Sequence, residues 1–357
     1  MNLQNKIQAF TRLGEILRQF LNEPAAGGPF ETSSHEILQQ AIQKAKESNP
    51  WYTHFHITTA LDALGKMLEK DKLEEWIAWY PQIDQQQSGP KTIGVVNAGN
   101  IPLVGFHDFL CVLMAGHRYY AKLSSQDHHL PETMAGLLKR IEPAFGERIF
   151  FEEDHLRNFD AIIATGSNNT SRYFHYYFSK YPHIIRKNRN GVAVLTGNET
   201  GRELQKLADD IFLYFGMGCR NVSKIFVPEQ YEMKRLLDNL SGYEDVINHP
   251  KYANNYDYNK TICIINQVPH YDTGFLLLKE APQISSPIAT LHYETYTSPG
   301  EVKKKLELEQ EAIQCVVTHS GEFPRGIPFG QAQYPDLQDY ADGKDTMHFL
   351  LSLNQKA

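Results

Sequence analysis

From about residue 90 onward, short runs that are apolar on consecutive residues alternate with stretches of helical periodicity. TIGVVN precedes FHDFLCVLMAG, RYYAKL precedes ETMAGLLKRIEPAF, and FDAIIATG precedes SRYFHYYFSKY. A strand with one wet face alternates apolar and polar residues. A strand that is apolar throughout is buried on both faces, and helices between such strands cover a parallel sheet. This pattern constrains the region to a doubly wound, nucleotide-binding type of layer. A second alternation begins at NGVAVLTG (190–197). It continues through a helix at TGRELQKLADDIFLYFG, expected strands at SKIFVP, KTICIIN and SPIATLHYETY, and a Gly/Pro-rich loop, FPRGIPFGQ (323–331). The expected organisation is therefore residues 1–188 as N-terminal helices plus a dinucleotide-binding domain, 189–330 as a second α/β domain, and 331–357 as a short tail.

The remaining composition narrows the partners. A net charge of −7, spread without long runs of one sign, argues against a nucleic-acid surface or a polybasic membrane patch. A small molecule is the expected partner. The four cysteines (Cys111, Cys219, Cys263, Cys315) are far apart and form no CxxC, which suggests neither a disulfide framework nor a thiolate zinc site. The fifteen histidines include no HExxH, so no metal is expected. The N-terminus has the spacing of an amphipathic helix rather than a signal peptide. The most apolar long run, IPLVGFHDFLCVLMAG, carries His107 and Asp108 and falls short of the roughly 20 apolar residues of a membrane span. A reducing cytoplasm is the expected compartment, with no integral membrane segment.

FGMGCRNVSKIFVP (215–228) sets Cys219 on a bend between a helix and a strand, with Gly216 and Gly218 free to take positive φ. Such a bend can present a thiol, and Arg220 beside it favours a thiolate. On this stretch alone a packed, inert cysteine is the ordinary reading. The balance shifts because TIGVVNAGNIPL, RYYAKLSSQD, DAIIATGSNNTS, NGVAVL, FGMGCRNVSKIFV, SPIATL and PFGQAQYPDL follow one another in this order. Their order and spacing resemble the aldehyde dehydrogenase superfamily. NAGNIP together with the ending FGQAQYPDLQDYADGKDTMHFL resembles its acyl-CoA reductase branch, the family of the fatty acid reductase of bacterial bioluminescence.

The resemblance implies an aldehyde dehydrogenase-like two-domain fold: a Rossmann-like nucleotide domain, to which the tail from 331 returns, and an α/β catalytic domain. It places Cys219 at the nucleophile and Asn100 at the side-chain amide that binds the developing oxyanion. Lys122 falls at the residue that binds the adenosine ribose. Ser124 and Ser125 stand nearby, with Ser125 where a ribose-binding glutamate is common, which implies NADPH with NADH as the alternative. Gly166 and Ser167 fall at the loop that opens a helix toward the pyrophosphate, although Ser171 stands where a glycine is common. Gln283 falls at the glutamate that binds the nicotinamide ribose.

One departure bears on the reaction. Where hydrolytic members carry a glutamate that activates water, IIRKNRNGVAVL supplies only Arg186, Lys187, Asn188, Arg189 and Asn190. The resemblance thus implies reduction of a long-chain acyl-CoA thioester to an aldehyde through an acyl-cysteine. Coenzyme A would be released, an acyl-transferring enzyme is an expected partner, and a homo-oligomer is the expected assembly. His292 and His319 are both open as the general acid. Two rival readings stand beside this one: a cofactor-independent cysteine acyltransferase or hydrolase, and a degenerate acyl-CoA- or nucleotide-binding regulator.

Overall fold

The computed structural model describes residues 1–22, 29–85, 89–319, 323 and 326–354. They form two compact units, Met1–Lys187 with Asp336–Ala357, and Asn188–Pro335.

The first unit begins with four helices, α1 (Leu3–Asn22), α2 (Pro29–Ser48), α3 (His54–Met67) and α4 (Lys70–Ala78). An alternating layer follows: β1 (Thr92–Val96), α5 (Phe106–Met114), β2 (Arg118–Lys122), α6 (His129–Ile141), β3 (Ile149–Phe151), β4 (Ala161–Thr165), α7 (Asn168–Phe178) and β5 (His183–Arg186). The five strands lie in the order β3-β2-β1-β4-β5, all parallel. Ile93, Val95 and the run Ala161–Ala164 are buried, as strands covered on both faces must be. Helix α1 explains much of the cover. Its Phe10, Leu13 and Leu17 recur at helical spacing on one face, and Phe10 meets Phe109 and Phe145 edge-on at centroid distances of 6.2 and 5.8 Å. The chain leaves β1 toward β2 and β3, then returns to place β4 on the other side of β1. That reversal creates a crevice at the carboxyl ends of β1 and β4.

The second unit comprises β6 (Asn190–Val194), α8 (Gly201–Phe212), β7 (Val222–Pro228), α9 (Met233–Leu240), α10 (Pro250–Ile265), β8 (His270–Asp272), β9 (Leu277–Glu280), β10 (Thr290–Tyr296), α11 (Pro299–Leu308), β11 (Ile313–Thr318) and β12 (Gly326–Ile327). Its sheet order is β12-β11-β6-β7-β10-β9-β8, parallel except for the β8–β9 pair. Helix α8 starts at Thr200, whose hydroxyl accepts from Glu203 N while the Glu203 carboxylate accepts from Thr200 N, a reciprocal cap worth about 1 kcal/mol.

Two sequence expectations need correction here. KTICIIN is not a strand but the end of α10. Tyr252, Tyr256 and Cys263 are the buried residues of that helix, spaced four and seven apart on one face, whereas Ile264 and Ile265 are 59 and 73% exposed. The apolar run straddles the helix instead of filling a sheet. FPRGIPFGQ is not wholly a loop, since Gly326–Ile327 pairs with Val316–Val317 as β12.

The segment from Asp336 closes the first unit with α12 (Thr346–Ser352). Tyr340 OH accepts from Trp76 Nε1 at 2.8 Å and pairs with Tyr80 OH at 2.6 Å, and Tyr80 OH donates to Asp345 at 2.8 Å. Arg186 forms a buried bidentate pair with Asp108 (2.5 and 2.9 Å) and donates to Thr346 Oγ1 at 3.0 Å. Removing one member of such a pair strands a buried charge at a cost of about 3–5 kcal/mol.

Candidate active site

In the first unit, Asn100, Gly166 and Ser167 follow the carboxyl ends of β1 and β4 and Lys122 ends β2, all at the carboxyl edge of the sheet. Asn100 is half-buried on the loop between β1 and α5. Buried polar groups from three directions hold that loop. Tyr52 OH donates to the Gly99 carbonyl at 3.2 Å, Asn97 N donates to Lys122 O at 3.1 Å, and Leu103 N donates to Asp127 Oδ2 at 2.8 Å. Leu103 sits at φ 58°, a left-handed conformation that costs a side-chain-bearing residue energy and persists only when its surroundings enforce it. A Cβ on Gly99 would lie 2.4 Å from Ser124 Oγ, so the β1 loop and the turn after β2 approach each other because residue 99 has no side chain.

That turn runs from Ser124 to Asp127 and is closed by Asp127 N donating to Ser124 O at 3.1 Å. Ser125 is exposed on the turn, Ser124 is half-buried, and the Lys122 ammonium donates to the Asp154 carbonyl. Asp127 is 4% exposed and its Oδ1 has no partner. Burial pushes this carboxyl up to about 7, against the opposing pull of the Leu103 N–H. Ser167 caps α7, accepting from Thr170 N at 3.2 Å, with its hydroxyl also 2.8 Å from Thr170 Oγ1. Gly166 packs so tightly that a Cβ would reach Phe174 at 2.9 Å and Thr170 at 3.0 Å.

In the second unit, Cys219 is half-buried on the bend between α8 and β7. Gly216 takes φ +74° as its position demands, but Gly218 does not take positive φ. Tyr214 and Phe215 do, each at 56°. These aromatic residues are buried, and packing enforces the turn that a second glycine was expected to permit. Asn221 fixes the bend. Its Oδ1 accepts from Gly218 N at 2.7 Å, and its Nδ2 donates to the carbonyls of Asp210 (3.1 Å), Ile211 (3.3 Å) and Leu213 (2.8 Å), which would otherwise be orphaned at the end of α8. The bend is tied to the start of β6 by Gly191 N donating to Asn221 O at 2.8 Å. Arg220 Nε donates to the Ala332 carbonyl, and the buried Asp210 accepts from Gly330 N and Ala332 N at 2.7 and 2.9 Å.

Next to this bend, β6 begins at Asn190, so the segment preceding it offers the cysteine no carboxylate. Arg189 turns instead to the carbonyls of Gln310 and Ile313, at 3.0 and 3.2 Å. Gln283 lies exposed on the link between β9 and β10. Of the two open histidines, His292 is buried on β10. His319 is exposed and pairs with Glu203 at 2.5 Å, near the amino end of α8. Among the described residues no group of three or more His, Cys, Asp or Glu side chains could hold a metal ion.

Solved structures share this fold. The chain is similar to an aldehyde dehydrogenase from Brucella melitensis biovar abortus 2308 (TM-score 0.58, 10% identity, covering 94% of this chain and 88% of that one). It is also similar to the NAD+ complex of an aldehyde dehydrogenase from Bacillus cereus (0.57, 12%, 90% and 73%) and to Proline Utilization A from Corynebacterium freiburgense (0.58, 11%, 90% and 38%). The chain has the aldehyde dehydrogenase fold. It spans little more than a third of the length of Proline Utilization A. Neither family models nor curated proteins match the sequence. Among the described residues no helix is long and apolar enough to cross a membrane.

Within this aldehyde dehydrogenase fold the sequence alone missed Tyr52, Asp127, Asn221 and Asp210, which shape the two loops; Asp127 and Asn221 lie within RYYAKLSSQD and FGMGCRNVSKIFV, but no role was assigned to them there. Tyr52 acts 47 residues away from its partner and leaves no local signal. Asn221 left a faint one, a side-chain amide three residues after a glycine at a helix end.

Proposed function

We propose that the chain reduces acyl-CoA thioesters to aldehydes with NADPH, through an acyl group carried on Cys219. The observation that carries this reading is the half-buried thiol on a braced bend, beside a β6 entry that supplies no carboxylate to activate water. The Cys219 thiolate would attack the acyl carbonyl carbon, the Asn100 amide would donate to the oxygen as it gains charge, and coenzyme A would leave as its thiolate. When bound, the nicotinamide supplies the hydride. The acyl carbon accepts it, the C–S bond to Cys219 breaks, and one proton yields the aldehyde and the free thiol.

Residues of this chain fit such a cofactor. The parallel sheet of the first unit has its switch point between β1 and β4, and Gly166 and Ser167 at the start of α7 would meet the pyrophosphate. Lys122, Ser124 and Ser125 would meet the adenosine ribose, with Ser125 leaving room for a 2′-phosphate, and Gln283 would meet the other ribose. The chain length of the acyl group, an acyl-transferring partner and a second copy of the chain follow from family resemblance. The four cysteines, far apart and without a CxxC, fit a reducing cytoplasm.

The test is mass spectrometry of protein mixed with palmitoyl-CoA, with and without NADPH. Without NADPH an acyl adduct is expected on the peptide containing Cys219, and adding NADPH should discharge it as aldehyde. In Cys219→Ser the adduct should vanish. An adduct confined to Cys111, Cys263 or Cys315, or discharge to free acid without any nicotinamide, overturns the reading.

A further inference from the structure

Parallel neighbours in a sheet are usually joined by a helical crossover of a dozen residues or more. β9 and β10 are parallel neighbours, yet only residues 281–289 join them, with no helix. Such a link carries carbonyls that neither a helix nor a ladder satisfies, and buried carbonyls must find donors. Here four consecutive carbonyls are taken by side chains. Lys224 Nζ donates to Ala281 O and to Pro282 O, both at 2.9 Å, His292 Nδ1 donates to Gln283 O at 3.0 Å, and Ser223 Oγ donates to Ile284 O at 2.7 Å.

The donors sit on two adjoining strands. Ser223 and Lys224 are on β7, which leads directly out of the Cys219 bend, and His292 on β10 is in register with Lys224. The Lys224 side chain is fully buried, and its ammonium is neutralised by Glu294 at 2.6 Å, which also pairs with Lys305. A carbonyl can only accept, so the imidazole of His292 carries its proton on Nδ1. Its Nε2 is left buried without a partner, and burial keeps the ring from charging. A buried ammonium and an orphaned imidazole nitrogen are costly ways to pin a link that could have been a helix. What they fix is one backbone stretch, 281–284, from which Gln283 is exposed.

We propose that Lys224, His292 and Ser223 are positioning residues that hold Gln283 for the nicotinamide-side ribose, so that one strand, β7, sets both the thiol and the ribose contact. This rests on the reading of the chain as a thioester reductase, and its test separates the two. Acylation of Cys219 by palmitoyl-CoA needs no ribose contact, whereas discharge of the acyl group by NADPH does.

His292→Ala should acylate at the wild-type rate, discharge about tenfold more slowly and need more NADPH to do so. His292→Asn, whose amide N–H can replace the Nδ1 donor, should recover most of the loss. Combining His292→Ala with Gln283→Ala should be no worse than Gln283→Ala alone. Should His292→Ala fail to fold, Ser223→Ala removes a single hydroxyl bond and should show a smaller loss confined to the same step. Discharge at the wild-type rate in these variants, additive losses in the double variant, or slowed acylation overturns the inference. Wild-type protein that takes up no acyl group, or fails to bind NADPH, overturns the functional reading instead.

Discussion

Among the ties of the loops that carry Asn100 and Cys219, each has a buried polar side chain bonded to its backbone, Asp127 in the first and Asn221 in the second, and these two hold the chain in opposite ways. Asn221 is neutral and fully engaged, with one acceptor and one donor group serving four backbone partners. Asp127 is a carboxyl with one oxygen on Leu103 N and the other on nothing, and its proton affinity is raised to about 7. An amide makes a bend rigid at every pH. A carboxyl in the same kind of place ties the loop's stability to the proton concentration.

The largest effect expected from breaking this contrast is at Asn221. Asn221→Ala strips Gly218 N and three carbonyls of their partner, and should cost about 3 kcal/mol of stability. It should also slow acylation of Cys219, and both losses should be the same at pH 5 and pH 8 in thermal melts and adduct assays. A marked pH dependence would show that the bend is not held by the amide alone.

Asp127 should behave otherwise. Its ordinary value is near 4 and its folded value about 7, so the folded chain holds a proton that the unfolded chain has released. Its contribution to stability is therefore fully present below pH 4 and is lost as the pH rises from about 4 to 7. Asp127→Asn keeps an acceptor for Leu103 N and removes the titration. Its melting midpoint should exceed that of the wild type by about 2–4 °C at pH 8 and by less at pH 5. An equal shift at both pH values would mean that Asp127 is not the group that titrates.

The smallest effect on the fold, and the sharpest control, lies on the turn that ends at Asp127. Ser125 is exposed, so Ser125→Glu should leave stability within about 0.5 kcal/mol. The new carboxylate should repel a 2′-phosphate and accept from a 2′-hydroxyl, shifting the ratio of kcat/KM for NADPH over NADH by about tenfold toward NADH. An unchanged ratio would place the adenosine ribose elsewhere.

Legibility followed periodicity. The strands and helices of the first layer were readable because Ile93, Val95 and Ala161–Ala164 are buried on both faces, and continuous burial also marks β6 and β7. Helix α10 was hidden because tyrosines carry its buried face while isoleucines face water, which inverts the usual signal. Short strands such as β3, β8 and β12 were too brief for a period to register. The residues assigned to the site could be named because they lie in ordered motifs. Their holders could not: Asp127 ends one of those motifs but only its burial reveals its role, Tyr52 is defined by a partner distant in the chain, and His292 by a register between strands. The left-handed φ of Tyr214 and Phe215 is likewise a product of packing; Gly216 beside them announced a bend but not these two residues.

The first unit is assembled from two separated pieces of chain, whereas the second is one continuous piece. On the ribosome these two cases differ in timing. Asn188–Pro335 can complete its sheet as it emerges, but β5 and the early helices must wait for Tyr340, Asp345 and Thr346 until that whole intervening stretch has been translated. During that interval Trp76, Tyr80 and the Arg186–Asp108 pair lack their covering segment. The nascent first half is then the part of the chain most in need of a chaperone.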